Sequence, residues 1–363
     1  MRIPYKAMLK ATRLARKGRP LSAALLLNRL ILPAPKPKRK RAKPTGKRQE
    51  PVLSRRVAAK RPDRPAPGSF LDGRFRDRAR DLRYRLYTPI GSARRRMPLV
   101  VMLHGCGQSA ADFAVGSGMN ALADEVGFLV LYPEQSRAAN IGGCWNWHRP
   151  SDQKRGSGEP ALIAALTVHA VALGRANPAR VYIAGISAGG AAAAIIGAAY
   201  PDIYAAVGVH SGLARGDIAT LSGALSAMRR GAGSAGSGKT ARPPPTIIFH
   251  GDKDTVVHPS NAVGFLSHLE RSRPGAMMRR VQKGQVAGGR GFTRTQYRSS
   301  NGAVLLEDWV VHGSGHAWSG GNPEGSHTDP AGPDASREMI RFFRTCRRPT
   351  LRVIRAPPPG ASP

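Results

Sequence analysis

The stretch Gly185-Ile186-Ser187-Ala188-Gly189 constrains this chain more than any other, because of what stands on either side of it. Arg180-Val181-Tyr182-Ile183-Ala184 comes before, an apolar and β-branched run of the kind that forms a buried strand. Gly190 and then Ala191 to Ala199 come after, an alanine-rich run that reads as a helix. A strand that turns at once into a helix needs small neighbours, since the two elements approach closely and the central backbone is strained. The pattern GxSxG alone recurs by chance in a chain with 42 glycines. Between a strand and a helix it presents a serine hydroxyl on a sharp turn, where a nucleophile stands; the bland alternative is a packing turn.

A nucleophile on such a turn requires an acid and a histidine later in the chain, each at the end of a further strand. Thr246-Ile247-Ile248-Phe249-His250-Gly251 is an apolar strand ending in a turn, followed by Asp252-Lys253-Asp254-Thr255-Val256-Val257. Trp309-Val310-Val311 leads into His312-Gly313-Ser314-Gly315-His316-Ala317-Trp318. Three loops at one edge of a parallel sheet then gather Ser187, an aspartate and His316. The chemistry needs all three: a hydroxyl is a poor nucleophile until an imidazole takes its proton, and the carboxylate fixes the imidazole tautomer.

Two carboxylates compete for the acid. Asp254 lies where the loop turns down toward the apolar Val256-Val257, whereas Asp252 sits at the strand end, where short acids cap turns. The reading favours Asp254. His316 has rivals in His312, assigned here to the strand, and His250; the glycines flanking Ser314 give His316 the freer loop. Acyl transfer also needs backbone N–H groups aimed at the developing oxyanion. Ala188 supplies one. The other is expected from His104-Gly105-Cys106-Gly107-Gln108, the loop after the strand Leu99-Val100-Val101-Met102-Leu103, although its glycines also suit a plain turn.

These segments, with Cys144-Trp145-Asn146-Trp147 and Gly315-His316-Ala317-Trp318-Ser319-Gly320-Gly321, resemble the polyhydroxybutyrate-depolymerase family of esterases, relatives of feruloyl and acetylxylan esterases. The resemblance covers roughly residues 82–346, with five motifs in order. It implies an α/β-hydrolase fold, a Ser187–Asp254–His316 triad, an oxyanion hole from the amides of Cys106 and Ala188, and hydrolysis of an ester, polymeric or small. Trp145, Trp147 and Trp318 lie in loops near this site, where aromatics either line an acyl or sugar pocket or serve as buried props.

Length and charge set the organisation. The 363 residues suit one large α/β domain with tails, here 69–346 between a leader, 1–68, and a tail, 347–363. The net charge of +35 is uneven. Residues 1–66 carry 21 Lys and Arg against Glu50 and Asp63, a net +19, and residues 344–363 add five arginines and no acid, leaving +11 for the middle 277 residues. Leucines among the basic residues of 5–31 read as two short amphipathic helices, while Pro, Lys and Arg from 33 to 68 bury too little to fold. The leader is thus an inert tail or a contact for an anionic surface, nucleic acid or a polyester granule.

Leu21 to Leu27 is a poor secretory core, short and preceded by mostly basic residues, and no apolar run is long enough to span a membrane. On sequence the chain reads as cytoplasmic; the family resemblance points outside the cell. Cys106 and Cys144 pair only in an oxidising compartment, and Cys346 is left over. The histidines and cysteines show no metal-ligand spacing, so neither metal nor cofactor is expected. Gly233 to Thr240 fits the phosphate-binding pattern GxxxxGK[ST], but it runs into Arg242-Pro243-Pro244-Pro245 rather than opening a helix, and reads as a surface insertion.

The remaining elements alternate: strands at 83–87, 99–103, 128–132, 205–209, 246–249 and 303–311, and helices at 120–126, 159–176, 218–229 and 335–344. This order argues a mostly parallel sheet with helices on both faces, ending in a hairpin turned at Asn301-Gly302. The functional reading is a serine esterase; the alternative from another class is a surface-binding protein on a hydrolase scaffold, with the basic leader as its working part.

Overall fold

The computed structural model describes residues 68–77, 80–91, 96–214, 221–231, 242–273 and 275–348. Residues 1–67 of the leader, the phosphate-loop look-alike and residues 349–363 of the C-terminal tail lie outside the described residues, as does the start of the helix expected from 218.

The centre is a ten-stranded sheet. Its strands are β1 (Ser69–Asp77), β2 (Arg80–Thr88), β3 (Leu99–Leu103), β4 (Leu129–Glu134), β5 (Val181–Ile186), β6 (Ala206–His210), β7 (Thr246–Gly251), β8 (Met278–Gln285), β9 (Gly291–Arg298) and β10 (Val304–Val311). The order across the sheet is β1-β2-β4-β3-β5-β6-β7-β10-β9-β8. The six strands from β4 to β10 are parallel to one another; β1–β2 and β9–β8 flank them as antiparallel ribbons. β3, β5 and β6 are buried along their whole length and almost wholly apolar, His210 at the end of β6 being the polar exception, as strands covered on both faces must be.

Helices α1 (Ala110–Ser117), α2 (Met119–Val126), α3 (Gly158–Leu173), α4 (Ala188–Ala199), α5 (Leu221–Arg230), α6 (Val263–Ser272) and α7 (Ala335–Arg344) complete the chain. One core packs α3 and α4 against the sheet through Leu131, Ile163, Ile183, Ile195 and Val207. The other, built on Tyr132, Tyr182, Phe249, Trp318, Met339 and Phe343, lies under α1, α2 and α7.

The helices α1 and α6 and the outer strands β1 and β8 escaped the sequence reading. α1 announces itself only by Ser109, whose hydroxyl accepts the Asp112 N–H at 3.1 Å and caps the helix. The outer strands β1 and β8 each carry a glycine that reads as a breaker. Here the Tyr84 ring occupies the space a Gly73 side chain would need, and the Phe292 ring does the same at Gly284, so an aromatic on the next strand fills the gap. β2 lies beside β4.

Candidate active site

Ser187 sits where β5 ends and α4 begins, with φ 58° and ψ −122°, a conformation few non-glycine residues adopt. The turn survives because nothing around it has bulk. A β-carbon on Gly185 would come within 2.5 Å of Gly189 backbone atoms, and one on Gly189 within 2.1 Å of the Leu103 carbonyl oxygen. The strain is held by backbone bonding: Ser187 N–H donates to the His210 carbonyl at 2.9 Å, and Ser187 O accepts from Ala191 N–H at 2.9 Å. Ala188 is the first residue of α4, so its N–H has no acceptor within the helix.

Asp254 and His316 meet. The His316 Nδ1 lies 2.7 Å from the Asp254 Oδ2, which places the proton on Nδ1 and leaves Nε2 as a base. Asp254 is 4% exposed, and its other oxygen accepts the Val256 and Val257 N–H groups, each at 2.9 Å. The His250 Nε2 approaches Oδ2 at 3.4 Å while donating to the Val257 carbonyl at 2.8 Å. Burial alone would raise the Asp254 pKa. Hydrogen bonds from His250 and His316, the charge of His316 and the Val257 N–H outweigh it and hold the carboxyl far below the usual carboxylate range.

Asp252 is paired elsewhere. Its Oδ2 lies 3.1 Å from His312 Nδ1 and its Oδ1 accepts the Gly313 N–H at 2.7 Å. Both partners are exposed. His312, expected in the strand, lies outside it: β10 ends at Val311 and His312 opens the loop. His250 faces the acid from the strand side rather than the imidazole position.

Cys106 and Cys144 form a disulfide across 38 residues, a pairing the sequence left open. Around Cys106 the neighbouring amides are occupied: Gly105 N–H donates to Gln108 Oε1 at 2.9 Å and Gly107 N–H to the Gly142 carbonyl at 3.0 Å. The Cys106 N–H has no acceptor among the described residues. Gln108 Nε2 in turn donates to Asp112 and to Ser326, and Ser326 donates to Asp112. This network ties the Cys106 loop to the segment that follows His316, a link between residues 218 positions apart that no local pattern announces.

The three tryptophans are buried, Trp145 and Trp318 to 1% and Trp147 to 7% exposure. Trp318 donates to Ser336 Oγ and stacks on His210, 5.0 Å between centroids. Trp145 donates to the His104 carbonyl. Their burial suits the prop reading, and Trp145 also borders a cavity beside the Cys106 loop. The props hold two neutral histidines. Burial drives His104 and His210 below the usual imidazole pKa, and at His210 the charges of His250 and His316 add to it. His104 Nε2 accepts from Gln135 N–H, and His210 Nε2 from Ser319 N–H.

Among the described residues no cluster of His, Cys, Asp and Glu is arranged to hold a metal ion. No described helix is long and apolar enough to cross a membrane.

Residues 82–277 match the family described as "Esterase PHB depolymerase", more than half of the chain. Poly(3-hydroxyalkanoate) depolymerase C of Paucimonas lemoignei is 33% identical over 230 residues, 60% of this chain and 54% of that protein. Feruloyl esterase B of Neurospora crassa is 30% identical over 200 residues, 49% of this chain and 66% of that one. The chain thus spans about half to two thirds of the length of these relatives. Among solved structures, the acetyl xylan esterase from Aspergillus awamori matches with a TM-score of 0.57 at 19% identity, over 73% of this chain and 94% of that one. That likeness shows the α/β-hydrolase fold.

Proposed function

Because this chain belongs to the PHB-depolymerase family of esterases, we propose that it is a serine hydrolase of carboxylic esters. The observation that carries the reading is the buried Asp254–His316 pair, 2.7 Å apart, on loops that follow the two strands expected to deliver it, with Ser187 at the strained end of β5.

In the proposed reaction His316 Nε2 takes the Ser187 proton as Oγ attacks the ester carbonyl. The C=O π electrons move onto oxygen, and the N–H groups of Cys106 and Ala188 stabilise that charge. The carbonyl re-forms as the C–O bond to the alcohol breaks, and His316 protonates the leaving alkoxide. Water, deprotonated by the same imidazole, then attacks the acyl carbon; the bond to Ser187 Oγ breaks, His316 returns the proton to Oγ, and the acid leaves. Asp254 stays ionised throughout and stabilises the imidazolium.

The substrates we favour are oligomers or polymers of 3-hydroxybutyrate, or small esters. Feruloyl or acetyl esters on sugars are the second reading, favoured by the feruloyl esterase relative. In the same proposal residues 69–346 form the esterase domain, and the basic leader, 1–68, contacts an anionic or granule surface; co-sedimentation of full-length and leader-deleted protein at rising salt tests the leader.

A fluorophosphonate probe labels Ser187 in the full chain and not in Ser187→Ala, and that substitution lowers ester turnover at least ~10³-fold while leaving the melting temperature nearly unchanged. Turnover within tenfold of the parent ends the esterase assignment and leaves the surface-binding alternative. A panel of nitrophenyl esters, 3-hydroxybutyrate oligomers and feruloyl or acetyl sugars decides between the substrate readings.

A further inference from the structure

Beside the Cys106 loop lies a cavity of about 960 Å³. Gly107 and Gln108, the two residues after Cys106, form one edge, and Gly143 and Trp145, on either side of Cys144, continue it. The disulfide therefore ties two segments of this wall together. The floor is buried and polar: Asn146 is 2% exposed, Asp152 6% and Gln135 8%. Five arginines stand around it, Arg74, Arg80 and Arg83 from β1 and β2, and Arg137 and Arg149 from the loops opposite.

Charge is balanced only in part. Four carboxylates also line the cavity, and each is already engaged within the protein. Asp81 pairs with Arg74 at 2.5 Å. Glu134 accepts the Ala110 N–H at 2.9 Å. Asp152 accepts the Glu159 N–H at 2.6 Å. Glu159 takes the Asn146 N–H and side-chain amide and the Gln135 side-chain amide, at 2.8, 2.6 and 2.5 Å. Of the arginines, Arg74 is held by Asp81, and Arg80 donates to the Gly158 carbonyl. Arg83, Arg137 and Arg149 make no side-chain hydrogen bond or ion pair among the described residues. Three guanidinium groups without a carboxylate partner thus face a cavity lined by five arginines and four acids, only one of which, Asp81, is paired with an arginine.

Guanidinium groups without carboxylate partners, above a hydrogen-bonded floor and beside the loop assigned to the oxyanion, call for an anion that arrives with the substrate. We propose that this cavity binds the free carboxylate at the end of a hydroxyacid ester chain. It thereby favours cleavage near the acid terminus over cleavage within a neutral stretch. A chain of ester-linked hydroxy acids carries one such carboxylate, and every cleavage creates another, so the same subsite also accepts the acid product. The proposal rests on the esterase reading and gives it a direction along the chain.

The test compares two substrates that differ only at the terminus, the dimer of 3-hydroxybutyrate as its free acid and as its terminal amide. The parent full chain should show a higher kcat/KM for the acid. In the triple variant Arg83→Ala/Arg137→Ala/Arg149→Ala, whose replaced side chains are all exposed, the acid-to-amide ratio should fall about tenfold, the sum of three partly screened ion pairs. A control, Arg279→Ala/Arg280→Ala/Lys283→Ala on the exposed strand β8, removes the same charge elsewhere and should keep the ratio. An unchanged ratio in the cavity variant, or an equal fall in the control, overturns the subsite. Calorimetry with the free-acid dimer on Ser187→Ala separates this result from a failure of the esterase reading. Binding that is lost with the three arginines supports the cavity even if neither dimer is turned over, and no binding overturns it. Monomeric 3-hydroxybutyrate in the same titration distinguishes product capture from recognition of the chain end.

Discussion

The loops after β7 and β10 meet twice, each time through an aspartate and a histidine, and the two meetings differ in almost everything except composition. Asp252 and His312 come first after their strands and lie 3.1 Å apart, with side chains 35% and 47% exposed. Asp254 and His316 come two and four residues later and lie 2.7 Å apart, with side chains 0% and 14% exposed. The deeper carboxylate has both oxygens occupied, by two backbone N–H groups on one side and His316 on the other, with His250 close by. The outer pair is closed off as well: His312 Nε2 is bonded to Thr293 Oγ1 at 2.9 Å, so neither ring nitrogen is left to accept a proton from a nucleophile. A histidine can serve as base only if its second nitrogen is uncommitted, and among the described residues His316 Nε2 is. Depth and an open nitrogen, rather than the presence of an Asp–His pair, separate the proposed site from a loop staple.

The largest test of this contrast exchanges each acid for its amide. Asp254→Asn should lower kcat by ~10³–10⁴-fold, because an asparagine no longer holds the imidazole in the productive tautomer. Asp252→Asn should change kcat by less than about fivefold, since its pair is solvent-screened. Reversed effects would make Asp252 the acid and the depth argument wrong.

A smaller effect should follow from His250, which is 1% exposed and donates to the Val257 carbonyl beside Asp254. His250→Leu removes that donor and leaves a buried carbonyl unpaired, at a cost of about 1–3 kcal/mol in stability. The loop that presents Asp254 then loosens, and kcat should fall about tenfold with KM little changed. His250→Gln, which keeps a donor, should recover part of both losses. Unchanged stability and turnover in the leucine variant would show that Asp254 needs no support from the strand.

Acid should also separate the two pairs. Both aspartates have folded pKa values below their unfolded ones, so each contributes stability that is present above about pH 4 and lost as pH falls through the folded value. The depression at Asp254 is the larger, so Asp254→Asn should flatten the loss of stability between about pH 4 and 2 more than Asp252→Asn does. His104 and His210 act earlier in an acid titration. Their folded pKa values are depressed, so the unfolded chain takes up protons first, and stability should start to fall below about pH 6.5. Chemical denaturation of the parent and both variants from about pH 7.5 down to about pH 2 reads all three limbs.

How much of this was legible in the sequence depends on the range of the interaction. The Ser187 turn, the parallel strands and the order of Ser187, Asp254 and His316 follow from local patterns, glycine spacing and alternating strands and helices. Asp254 was favoured over Asp252 for its place before Val256-Val257; of these Val257 is buried and Val256 exposed, and it is Asp254 that lies 2.7 Å from His316. The edge ribbons did not, since Gly73 and Gly284 look like breakers until Tyr84 and Phe292 are seen to cover them. The Gln108–Asp112–Ser326 network and the arginines facing the cavity were equally hidden: each joins residues far apart in the chain, and none carries a motif. The tryptophans show the limit most plainly. Their place in loops left pocket lining and buried prop equally open, and the indole N–H groups at 145 and 318 find buried acceptors.

The smallest expected effect belongs to the outer histidine, and it decides whether that pair matters at all. His312→Ala removes the contacts to Asp252 and Thr293 and creates no cavity, because the ring is half-exposed. A surface change of this kind costs within about 0.5–1 kcal/mol. The Gly313 N–H would still be held by Asp252, and Lys253 N–H by the Ser314 carbonyl at 3.0 Å, so the loop carrying His316 keeps two of its anchors. Turnover should therefore stay within about twofold, and the double variant Asp252→Asn/His312→Ala should add nothing beyond the sum of its parts by more than about 0.5 kcal/mol. A fall in kcat of tenfold or more in the single variant would mean that the exposed pair positions His316. The contrast would then be one of two cooperating pairs rather than of a site and a staple.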